Sequence, residues 1–209
     1  MATDTEVANR TLLALGLDRI DDLATNGTYR ANRINELFPT TRTSVLEEFP
    51  WNFSGSRAQL VRAAPTPVSG WAYLYTLPND FLITRQARAS ADDFDVSSPR
   101  ADKSCADIAF ELREPQLLSD SEEVWLYYTR NLTDLANWPQ YAINVFAYRL
   151  AMDLAVPFTE SLSKQREMER LHDKAVVRAR GRDTGNTARP RPRETGWITA
   201  RFAGSGYRY

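Results

Sequence analysis

Catalysis needs poised acids, bases, nucleophiles or metal ligands, and few residues of this 209-residue chain offer them in a usable arrangement. His172 is the single histidine; it lies between Leu171 and Asp173 in a charged segment and reads as part of a solvated helical face. Cys105 is the single cysteine, so no internal disulfide can form, and a lone thiol suits a reducing cytosol. Its neighbours Ser104, Ala106 and Asp107 suggest a small, inert residue. One cysteine and one histidine cannot assemble the usual zinc ligand set. Asp92, Asp93 and Asp95 are acidic enough to attract calcium, but lack the spaced ligands and closing glutamate of a calcium loop. They read as a solvated loop, and Glu122-Glu123 as a polar strand edge. Neither a Gly-rich phosphate loop nor a Gly-x-Ser-x-Gly elbow occurs. The expectation is a protein that is not an enzyme, with no catalytic residue, no cofactor and no metal.

Binding chemistry is better represented. Trp71, Tyr73 and Tyr75 alternate in Gly70-Trp-Ala-Tyr-Leu-Tyr-Thr-Leu-Pro78, so in a strand they share one side. Such a row could stack bases, but Ala72 and Leu74 opposite leave no basic face, and packing in a core or subunit contact is the expected role. Arginine is concentrated at the other end of the chain. Residues 178–209 hold eight arginines against Asp183 and Glu194, a net of +6, which leaves 18 basic and 25 acidic residues elsewhere. An acidic body thus precedes a basic tail. Within it, Arg189-Pro190-Arg191-Pro192-Arg193 is held extended by proline. A basic tail can bind phosphates, while an extended segment with tryptophan, tyrosine and arginine suits a groove on another protein. Arg189, Arg191, Arg193, Trp197, Tyr207 and Tyr209 are the candidate contacts, with a protein partner favoured over DNA.

The elements that position these groups fall into three zones. Val7, Leu12, Leu13, Leu15 and Leu17 predict a first amphipathic helix, capped by Thr3 or Thr5 and ended near Gly16. A second helix begins near Thr28, with Tyr29, Ile34, Leu37 and Phe38 as core contacts; Pro39 is expected to kink it or split off a third at about 40–49. Short β-like runs follow at 59–63, 71–76, 81–89, 108–112 and 124–129, with a polar loop at 90–107. Trp138-Pro139 opens a late helix, apolar all round from Tyr141 to Val156 and therefore buried, in which Arg149 and Asp153 can pair. Pro157 should stop it, and Thr159 should cap a last, charged helix with a narrow stripe of Met168, Leu171, Ala175 and Ala179. The expected fold class is α+β: a helical bundle built from both ends of the chain (residues 1–50 and 133–182), a β-rich insertion (51–132) and an extended Arg/Pro-rich partner-binding tail (183–209). No apolar run reaches membrane-spanning length, and the acidic N-terminus is unlike a secretory signal.

One motif ties the zones together. Phe49-Pro50-Trp51-Asn52-Phe53, then Arg57-Ala58, then the aromatic strand 70–78, mark a corner where helix gives way to sheet, because a proline forces its predecessor out of helical geometry. With Asn9-Arg10, the Ala31…Phe38-Pro39…Arg42 run and Trp138-Pro139, this pattern resembles the tail tubular protein A family of short-tailed bacteriophages. The resemblance spans residues 7–180. It implies a virion structural protein, made in the host bacterial cytoplasm. Such a subunit would form a ring, usually of twelve copies, between portal protein and tail nozzle protein, with a channel for DNA ejection. DNA would pass without specific binding, helped by a negative lumen, and the tail residues named above would dock on the portal. The alternatives are a DNA-binding protein using its basic tail, a stand-alone scaffold module, or a connector of a long-tailed phage.

Overall fold

Two hydrophobic periods set the architecture, one of helices and one of strands. A computed structural model describes residues 3–25, 27–64, 70–90 and 108–186. Over them the chain is mixed α+β, with helices α1 (Asp4–Leu15), α2 (Tyr29–Glu48), α3 (Gln140–Thr159) and α4 (Leu162–Gly185). The strands are β1 (Gly55–Gln59), β2 (Val61–Arg62), β3 (Tyr73–Thr76), β4 (Phe81–Arg88), β5 (Phe110–Arg113), β6 (Gln116–Ser119) and β7 (Trp125–Arg130).

Local chemistry explains the helix ends. The Thr3 hydroxyl accepts from the Glu6 amide and caps α1, while Gly16 closes it at φ 77°, a left-handed conformation that costs glycine nothing. Thr28 caps α2 and Ser161 caps α4 in the same way. On α1 the buried stripe is Val7, Ala8, Thr11, Leu12 and Leu15. Leu13 falls off that stripe and is 72% exposed, and Tyr29, the first residue of α2, is 65% exposed. Neither is the core residue expected from its apolarity.

Pro39 does not divide α2. The helix runs through it because Phe38, Thr41, Val45 and Leu46 on both sides bury against one core, outweighing a single lost backbone bond. Pro157 likewise sits within the last turn of α3, and Glu160, not Thr159, follows as the left-handed cap. Ser161 therefore takes the capping role expected of Thr159. α3 buries nine residues, from Ala142 to Ala155, against α1, α2 and α4. Each large apolar side chain so buried contributes roughly 1.5–3 kcal/mol.

The strands form two antiparallel sheets, ordered β1-β7-β4 and β2-β3-β6-β5. Leu60, Tyr75, Leu77, Ala87, Leu117, Val124, Leu126 and Tyr128 form a second core drawn from both sheets. The run 59–63 is not one strand: it breaks at Leu60, whose amide binds the Val124 carbonyl, and its halves join different sheets. Sequence periodicity also missed β1, a polar edge strand, and β6, a short central strand without alternation. Most of the polar stretch 90–107, with Cys105, Asp92, Asp93 and Asp95, lies outside the described residues. At the other boundary α4 continues to Gly185, so residue 183 belongs to a packed helix and does not begin the extended tail. No helix among the described residues is long and apolar enough to cross a membrane.

Candidate functional site

The Phe49–Phe53 corner joins helix to sheet through buried rings and several hydrogen bonds. Trp51 is fully buried and its indole N–H donates to the Val45 carbonyl at 2.8 Å, tying the corner to the last turn of α2. Aromatic rings continue from it without a break. Phe49 and Trp51 are 4.9 Å apart, Phe53 and Trp138 5.4 Å, Trp138 and Phe146 5.7 Å, and Phe146 and Phe38 4.9 Å, all edge-on or tilted. Trp51 and Phe53 are themselves 6.0 Å apart.

Two polar clamps lock this cluster. Arg85 on β4 donates to four neutral oxygens: Thr129 Oγ1 at 2.9 Å, Tyr127 Oη at 2.9 Å, the Trp51 carbonyl at 2.6 Å and Ser54 Oγ at 3.1 Å. Gly55 stands so near this guanidinium that an added Cβ would meet Arg85 Nη1 at 2.9 Å and Tyr127 Oη at 2.8 Å. Asp183 is the second clamp. It is 1% exposed, accepts from the Asn52 amide at 2.8 Å and the Tyr141 hydroxyl at 2.7 Å, and its own carbonyl accepts from Asn52 Nδ2 at 2.7 Å. Burial, then the bond to that carboxylate, pushes the Tyr141 phenol far above the ordinary tyrosine range. An open cleft of about 460 Å³ borders the corner, with Glu47, Pro50, Ile83 and Gln86 in its walls.

His172 occupies neither a solvated face nor a metal site. It is 4% exposed, with Nε2 3.4 Å from Glu48 Oε2, too poorly aligned for a full hydrogen bond but close enough for charge attraction when the imidazole is protonated. Contact with His172, opposed by burial and aided by Arg149 and Arg180, holds the Glu48 carboxyl below its usual range. Asp153 behaves in the opposite sense, raised chiefly by burial despite Arg149 at 3.7 Å and the Thr41 hydroxyl at 3.4 Å. These groups join α2, α3 and α4, and they are structural. Glu122 and Glu123 are exposed between β6 and β7, and no group of three His, Cys, Asp or Glu able to hold a metal occurs among the described residues.

The outward side of α4 is different. Arg166, Arg170, Lys174, Arg178 and Arg182 follow at strict four-residue intervals, and all five are exposed. A four-residue step rises about 6 Å and turns about 40°, so they form one ridge about 24 Å long, winding over the solvent side. None is within ion-pair distance of a carboxylate among the described residues. Sequence reasoning grouped Arg178 and Arg182 with a tail and passed over the other three, although the interval was present to be read. No known family model matches the chain, and no curated protein matches it. Arg189, Arg191, Arg193, Trp197, Tyr207 and Tyr209 lie outside the described residues.

Proposed function

We propose that this chain is a structural virion protein, an adaptor subunit that forms a ring, of twelve copies in the family it resembles, between the portal and tail nozzle of a bacteriophage. One observation carries the reading. Part of the pattern behind the resemblance converges: Phe38, Phe49, Trp51, Phe53 and Trp138 belong to one aromatic cluster connected through Phe146, while Tyr73 and Tyr75 of the aromatic strand pack in the separate sheet core. Asn9 exchanges two 2.9 Å hydrogen bonds with the Ile20 backbone, and Arg10 reaches Asn144 on α3 at 2.9 Å. These contacts give the quoted motif residues structural roles in the helical body, and that is the support for the reading.

In this proposal the helices at both ends of the chain form the body, the β-rich middle is an insertion, and the residues beyond 186 dock on the portal. The role is mechanical: no catalysis, cofactor or membrane takes part, and DNA passes through the channel without specific contacts. The virion connector is the site of action, after synthesis in the host bacterial cytoplasm.

Mixing the purified protein with a portal ring from the same phage, followed by light scattering and negative-stain microscopy, tests this directly. A stacked double ring is expected, and it should vanish when residues 187–209 are removed. The truncation must begin at 187, because cutting at 183 would also remove the Asp183 clamp. The exposed cations of α4 favour one competing reading, a DNA-binding protein. Failure to bind the portal, together with DNA affinity falling steeply with salt, would establish that reading instead.

A further inference from the structure

Between α3 and α4 lies a groove of about 360 Å³, among whose walls are Asn144, Tyr148, Ala175, Arg178, Ala179 and Arg182. Its composition is divided. Ala175 and the rings of Tyr141 and Tyr148 offer a small apolar surface, while Arg178 and Arg182 add two guanidiniums with no carboxylate within 4 Å among the described residues. The Tyr148 hydroxyl also has no hydrogen-bond partner among those residues. Val177, on the side of α4 turned away from the groove, is 71% exposed beside Lys174 and Arg178 of the cationic ridge. A cation in the last turn of a helix stabilises the helix dipole by about 0.3–1 kcal/mol, which accounts for Arg182. It does not account for Arg166, Arg170 or Lys174 further up the ridge, or for an exposed valine among them.

We propose that the α3–α4 groove, with the adjoining ridge, is a docking site for an acidic polypeptide segment of a protein partner. Charge complementarity fixes the sign of the occupant, because unneutralised guanidiniums favour carboxylates as bidentate acceptors. The spacing sets the interval between its acidic groups. Arg178 and Arg182 are one helical step of about 6 Å apart, which matches carboxylates four residues apart on a helix or two apart on a strand. The apolar element separates a polypeptide from a nucleic acid: half-buried Ala175 and the rings of Tyr141 and Tyr148 in the groove walls gain by covering apolar side chains, and a phosphate backbone brings none. This site stands apart from the adaptor reading, since a chain that ignores a portal ring can still hold an acidic peptide here.

The test uses the full chain with Arg189, Arg191, Arg193, Arg201 and Arg208 changed to Gln, which silences the tail. Fluorescence anisotropy then follows two probes, a labelled peptide of Glu-Ala-Leu-Ala repeats and a labelled duplex DNA. The Arg178→Glu/Arg182→Glu variant is expected to bind the peptide at least about tenfold more weakly, with a thermal melt lowered only by the few degrees that a reversed charge in the last turn of α4 accounts for. Ala175→Leu, which fills the groove without altering charge, should weaken the peptide and leave DNA affinity where it was. Peptide affinity indifferent to Arg178→Glu/Arg182→Glu, or no peptide binding at all, overturns the proposal. DNA held more tightly than the peptide, with both lost alike in the charge-reversed variant, overturns it in favour of a nucleic-acid surface.

Discussion

Arginine does opposite work at the helix-to-sheet corner and on the outer side of α4. At the corner, Arg85 is surrounded by four neutral oxygens, each within 3.1 Å, so four of its five N–H donors are engaged in joining β4 and β7 to the chain around Trp51. On α4, Arg178 and Arg182 have no such partners among the described residues and stand beside an open groove. The residue type is the same in both places. What separates a structural cation from a candidate binding cation is how many of its donors are already satisfied, since a guanidinium with most of them engaged has little left to offer a ligand.

Substitutions can break or sharpen this contrast. The largest effect is expected from Trp51→Ala, about 4 kcal/mol of stability lost in urea denaturation, because a fully buried indole leaves a cavity and strands the Val45 carbonyl. A loss near the surface-mutation range of about 0.5 kcal/mol would mean the corner is not the keystone described. Asp183→Ala should cost about 3 kcal/mol, since the Asn52 amide and Tyr141 hydroxyl would both lose a buried acceptor. Arg85→Met should cost about 2 kcal/mol for the same reason, moderated because the site borders an open cleft.

Titration offers a finer probe of the buried polar cluster. The folded pKa of Glu48 lies below its ordinary value of about 4.5, so its contribution is present above that pH and fades as pH falls through the folded value. Glu48→Gln should therefore be less stable than the parent at neutral pH, with the gap closing in acid. Asp153 carries the opposite sign: its folded pKa is raised, so its ionisation opposes folding as pH rises. Asp153→Asn should then gain relative to the parent at neutral pH, and denaturation curves across pH 3 to 7 that move both variants in one direction would refute the assignment. Smallest of all is the expected stability change in Arg178→Gln/Arg182→Gln, within about 1 kcal/mol, the most that loss of Arg182 from the C-terminal end of the helix dipole accounts for. A larger loss would make those cations structural and erase the contrast with Arg85.

How much of this was legible in the sequence depends on the range of the signal. Capping of α1 by Thr3, one of the two threonines expected there, the end of α2 before Pro50 and the burial of α3 follow from interactions within a turn or two, and they were readable. The splitting of 59–63 between two sheets was not, because strand partners lie far off in sequence. Edge strand β1 shows no hydrophobic alternation at all, so nothing in its composition announced it.

The site divides along the same line. His172 reads as exposed from its charged neighbours, yet helical spacing places it with Met168, Val176 and Ala179 on the inward stripe. That stripe could have been found by taking the four-residue interval more seriously than residue polarity. The roles of Asp183 and Arg85 could not. Asp183 meets Asn52 across 131 positions of chain, and no local rule connects them.

What the sequence determined alone was periodicity, punctuation and the distribution of charge: helices where apolar residues recur, corners where proline forbids helix, an acidic body and an arginine-rich end. Tertiary structure decided which polar groups became internal clamps and which were left facing outward. The physical reason is that burial and hydrogen-bond satisfaction belong to pairs of groups, and the pairs that matter here are brought together only when distant segments pack.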